Sequence, residues 1–181
     1  MKHLFIALFM LFATTVSAQE VIDFMGIPID GSKAEMFAKL KEKGFRETED
    51  LYVLQGLFED IPVEAMTFDF RDKVYNITLR HDMGNDETMA IEQYNNLILK
   101  FRNDPKYNDS YSELIPEGEL IGEKLRSDFH LYTACFTQSG KHGYVRIKLL
   151  KTNNWKDEEW YKLANYVVEI EYINAANSPR G

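Results

Sequence analysis

The sequence holds a single cysteine, Cys135, so no intramolecular disulfide can staple the fold. That thiol lies inside the apolar run FHLYTACF, residues 129–136, where an inert buried cysteine is expected. Basic residues are in deficit: 21 Lys+Arg stand against 29 Asp+Glu, a formal charge of −8. Nucleic-acid binding depends on neutralising phosphates, and adsorption to anionic lipid depends on the same cations, so both are disfavoured. Past residue 18 no apolar run approaches the ~20 residues needed to span a bilayer as a helix. The motifs of common chemistry are also missing. There is no H-E-x-x-H or H-x-H for zinc and no G-x-S-x-G for a serine hydrolase. No cofactor and no metal site is expected.

The first 18 residues, MKHLFIALFMLFATTVSA, have the layout of a secretory signal peptide. Lys2 gives a basic start, Leu4 to Ala13 an apolar stretch, and Val16-Ser17-Ala18 a small-residue cleavage site. Export, to the periplasm or beyond, is therefore expected, with residues 19–181 as the mature chain. That length suits one domain with a core of its own.

The segment GIPIDGSK, residues 26–33, has the two glycines of a phosphate-binding loop at the required spacing. Its remaining letters argue for another role. Pro28 removes an N–H, Asp30 sets a negative charge where phosphate would sit, and Ser32 occupies the lysine position. Ser32-Lys33-Ala34-Glu35 instead reads as a capping box opening a helix whose apolar face is Met36, Phe37 and Leu40. Gly44 and Phe45 supply its stop.

Period-2 alternation then predicts strands at 51–58, 63–70 and 73–81. Met66, Phe68 and Phe70 share one face of the second, and Tyr75, Ile77 and Leu79 one face of the third. Asn85 or Asp86 caps a second helix with the stripe Ile91, Tyr94, Leu97, Ile98 and Phe101. Residues 103–127 read as loop with one short strand near 119–122. Further strands are predicted at 128–138, 142–151 and 165–173. The expected fold is α+β: two αβββ units, approximately 24–82 and 85–174, forming antiparallel sheet with the helices packed on one face.

The phrase Phe24-Met25-Gly26-Ile27-Pro28-Ile29-Asp30-Gly31-Ser32, with Lys43-Gly44-Phe45, Leu54-Gln55-Gly56-Leu57-Phe58 and the ending Val168 to Asn174, resembles an uncharacterised family of exported proteins from Bacteroidetes-type bacteria. At the level of fold, a tandem helix-plus-meander is similar to beta-lactamase-inhibitor-protein-like domains. The resemblance implies an exported domain and no particular activity.

Candidate chemistry is sparse. Arg80 to Glu87 is the densest polar cluster, and helix capping accounts for it better than an ion site does. Cys135 and His130 stand five apart on one strand and so face opposite ways, which disfavours a nucleophilic pair. The aromatic residues Trp155, Trp160, Tyr161 and Tyr166 are the best candidates for contact with a ligand or partner, since such rings anchor interfaces. The expected function is an exported, non-catalytic binding module for an envelope protein or glycan. The alternatives are an exported hydrolase with an unrecognised acid/base site and a periplasmic small-ligand binder.

Overall fold

The protein is described by a computed structural model covering residues 20–119, 121, 132–152 and 165–179. Trp155, Trp160, Tyr161 and His130 lie outside these residues, as do the leader and the strand expected near 119–122, apart from Glu119 and Ile121.

The chain opens with a small hairpin, β1 (Asp23–Phe24) and β2 (Ile27–Pro28). Its two-residue turn places Met25 and Gly26 both at positive φ, and Asp23 Oδ1 accepts the Gly26 N–H. Helix α1 (Lys33–Glu42) starts as the sequence indicates. Ser32 Oγ accepts the Glu35 N–H, and Glu35 Oε2 accepts the Ser32 N–H at 2.8 Å. It ends in a Schellman motif: Gly44 takes φ +95°, Phe45 N–H reaches the Leu40 carbonyl and Gly44 N–H that of Lys41. Strands β3 (Arg46–Glu47), β4 (Val53–Phe58), β5 (Ile61–Phe70) and β6 (Lys73–Asp82) follow. The Arg71-Asp72 turn joining β5 to β6 has both residues at positive φ.

Helix α2 (Glu87–Asn103) is capped by Asp86, whose carboxylate accepts the Met89 N–H at 2.9 Å. It buries Ala90, Tyr94, Leu97, Ile98 and Phe101. The remaining strands are β7 (Tyr107–Tyr111), β8 (Tyr132–Gln138), β9 (Tyr144–Thr152) and β10 (Asn165–Ile173).

All strands from β3 onward form one antiparallel sheet in the order β3-β4-β5-β6-β10-β9-β8-β7. Helix α1 lies against β5 and β6, and α2 against β7, β9 and β10. The registers bring Leu54, Ala65, Leu79, Ile170, Ile147 and Ala134 into one transverse row across six strands, each at most 3% exposed. Phe24 of the opening hairpin packs on this core. Its ring lies 5.0 Å from that of Tyr172 and 5.6 Å from that of Phe58. The Gln138 side chain holds the hairpin in place by bonding both the N–H and the carbonyl of Asp23.

This architecture corrects the expected pair of αβββ units with helices on one face. The protein is mostly β, with a single continuous sheet of eight strands and only two helices among the described residues. The units dissolve because β6 pairs along its length with β10, and because β3 and β7 extend both edges. Strand β7 falls in the stretch expected to be loop. Its sequence, YNDSY, lacks apolar alternation because the strand lies at the sheet edge, with four of its five residues exposed. The broader expectation, antiparallel sheet together with helices, holds. Cys135 also differs from expectation: it is half-buried and sits opposite the core-facing Ala134 and Phe136. Burial still pushes its thiol up, with the nearby Arg146 guanidinium acting the other way.

Candidate functional site: a groove on the polar sheet face

A one-residue step along each strand turns to the opposite face of the sheet. The row next to the buried one reads Gln55, Glu64, Arg80, Glu169, Lys148 and Thr133. Apolar side chains thus give way to charges that alternate in sign over four adjacent strands. The following row carries Val53, Met66, Thr78, Glu171, Arg146 and Cys135.

The charges on β9 and β10 are interlocked. Lys148 Nζ lies 3.0 Å from Glu169 Oε1 and 2.7 Å from Glu171 Oε1, and Arg146 Nε donates to Glu171. Lys148 and Glu171 have side chains only 11% exposed, so this lattice is set into the surface and held by pairing. Arg80 Nε approaches Glu169 at 3.9 Å. Burial disfavours the Arg146 cation while its hydrogen bond to Glu171 favours it, and the balance raises its pKa.

Side-chain size shapes this face. Strand β6 presents the small Asn76 and Thr78, whose side chains bond each other at 2.8 Å. The flanking strands present longer residues: Met66 and Phe68 on β5, Glu169 and Glu171 on β10. A floor of short residues between long ones makes a trough. Two adjoining hollows, about 380 and 470 Å³, meet at Arg80, which lines both. The first is lined by Met66, Phe68 and Tyr75; the second by Glu64, His81, Asp82 and Thr152. A bulge opposite Phe68–Asp69 leaves Tyr75 outside the ladder and turns its ring toward the first hollow, beside Asn76. Phe68 is 43% exposed, and Phe70 39%, so this end presents apolar surface to solvent.

At the other end, Asp82 accepts from the Gly84 N–H and the Asn165 amide, and His81 Nδ1 lies 2.6 Å from the Pro62 carbonyl.

Of the four aromatic residues singled out in the sequence, only Tyr166 lies within the described structure, and it is not in the groove. Its ring is 4% exposed and its hydroxyl donates to Glu87 Oε2 at 2.7 Å, tying β10 to the start of α2. Burial, reinforced by the Glu87 carboxylate, holds its phenol well above the ordinary range. The Arg80–Glu87 cluster divides between the groove and the helix start. Arg80, His81 and Asp82 line the former, Asp86 caps α2, and Glu87 accepts from the Ile121 N–H and from Tyr166. Met66, Phe68 and Phe70, which alternation groups as one apolar face of β5, are not core: the buried residues of that strand are Val63, Ala65 and Thr67, and Met66 and Phe68 line the groove with Glu169 and Glu171 of β10. Their convergence depends on the pairing of β6 with β10.

No family model matches the sequence, and no solved structure matches it. The chain is similar over 139 residues to the photosystem I assembly protein Ycf3 of Cyanophora paradoxa, at 24% identity, covering 75% of this chain and 79% of that protein. That degree of identity assigns the chain to no family.

Proposed function

We propose that this chain is an exported, non-catalytic binding module that holds a segment of a partner protein in the groove on the polar face of its sheet. The observation that carries the reading is the trough along β6, which joins solvent-exposed apolar rings at one end to charged and hydrogen-bonding groups at the other. Apolar anchors beside charged groups are what a protein surface uses to gain affinity and register together. Export is supported by the basic start, apolar stretch and small-residue site of residues 1–18. Among the described residues no helix is long and apolar enough to cross a membrane.

Site-specific photo-cross-linking in the native host tests this reading. A benzophenone amino acid replacing Phe68 is expected to yield a discrete protein adduct. The same probe replacing Met89, exposed on α2, is expected to yield none. An absence of adduct at position 68, or equal labelling at both positions, would overturn the proposal. Sequencing the N-terminus of the fractionated protein tests export, with a start at Gln19 as the expected result.

A further inference from the structure

We infer that the groove selects an extended segment with a lysine or arginine at one end and an aromatic or aliphatic side chain about six residues away, an inference that rests on the binding role proposed above. The groove is electrically uneven along its length. Glu169 and Glu171 are satisfied by Lys148, Arg146 and Arg80. Glu64 and Asp82, at the far end, have no ion-pair partner among the described residues. Glu64 is cross-strand from Arg80, whose guanidinium is already drawn toward Glu169.

That end is also rich in acceptors. Beyond the two carboxylates it offers the Gln55 amide oxygen. A surplus of acceptors and negative charge calls for a donor-rich cation. Arg80, cross-strand from Glu64 and lining both hollows, repels a second cation, which sets the ligand's positive charge on the Asp82 side of it.

The opposite hollow has a different character, with Met66, Phe68 and Tyr75 around the Asn76–Thr78 floor. Asp82 is separated from the apolar end along β6 by the span from Asn76 to Asp82, about 20 Å at ~3.3 Å per residue, and Glu64, opposite Arg80, lies two residues nearer, within reach of a long cationic side chain. An extended peptide has the same rise, and its same-face side chains recur every second residue. Positions i and i+6 therefore reach both ends at once. The chain's formal charge of −8 would also steer a basic segment toward it.

The probe is the blocked peptide acetyl-Lys-Ser-Thr-Ser-Thr-Ser-Phe-amide, titrated calorimetrically into the purified protein. Replacing its Lys by Glu is expected to weaken binding about tenfold or more, and replacing its Phe by Ser to do the same at the other end. Glu64→Gln is a mild change at an exposed residue with no hydrogen bond among the described residues. It is expected to weaken the Lys peptide about three- to tenfold and to leave the Ser-for-Lys peptide unchanged. Raising salt from 50 to 500 mM should weaken only the Lys-bearing peptides.

Equal binding of the Lys and Glu peptides, or no effect of Glu64→Gln, would overturn the inference. So would a concentration-dependent dimer that the peptide dissociates, since it would make a second copy the natural occupant. If position 68 cross-links to a protein while none of these peptides binds, the ligand chemistry is wrong and the binding role stands. If neither occurs, both fall.

Discussion

Gly56 shows how one missing side chain sets a local structure. A Cβ at this position would stand 2.5 Å from Phe45 Cδ1. The Phe45 ring cannot swing aside, because the Schellman bond fixes its backbone and the ring is 2% exposed, edge-on to Phe24 at 6.2 Å. Gly56→Ala is therefore expected to cost about 1–3 kcal/mol, the usual range for overpacking a filled core. The shift of the urea midpoint measures it, and adding Phe45→Leu should recover part of the loss by vacating the contact. A variant as stable as the parent would show that the ring and strand relax freely.

Among the elements, α1 allows a test that combines capping with pH. Ser32 supplies the cap, and its N–H and hydroxyl both hold the Glu35 carboxyl below its usual 4.5, the N–H contributing most. A carboxylate lowered in the folded state stabilises above its unfolded value, and that contribution disappears as pH falls through it toward the lower folded value. Ser32→Ala is expected to lower stability by about 1 kcal/mol at pH 7. It should also flatten the loss seen on acidifying below about pH 4.5, since one of the bonds favouring ionised Glu35 is gone. Thermal melts from pH 7 to 3 would read both effects, and parallel pH profiles would refute the capping account.

The same elements show what a linear sequence discloses. The capping box, the Gly44 stop, the Asp86 cap and the α2 stripe all depend on residues within about a turn of each other, and each appears in the structure as the letters indicate. Strand β10 also stands where alternation places it, at Asn165–Ile173. Strand β7 was hidden because an edge strand exposed to water needs no apolar face. Alternation also puts Tyr166 on the same side as Val168 and Ile170 but does not say which side is covered. The groove was illegible for a related reason. Its walls come from β5 and β10, about a hundred residues apart, and only pairing through β6 sets them side by side.

At the scale of the whole molecule, the arrangement turns on that last strand. β10 pairs with β6 on one side and β9 on the other, and seven of its nine residues are buried. Removing residues 165–181 is expected to abolish cooperative unfolding, leaving two partial sheets with open inner edges. Loss of a single sharp thermal transition, together with aggregation on gel filtration, would be the readout. A truncated chain that melts cooperatively would show that one part folds alone.

Seating the last of the described strands at the centre of the sheet also affects how the protein is made. Until a ribosome has released residues 165–173, β6 has a bare edge and the hydrophobic row through Leu79 has no Ile170 to continue it. Non-local pairing of this kind is slow and leaves sticky intermediates. A nascent chain built in this order would stay loose while it is being synthesised and close only once β10 arrives.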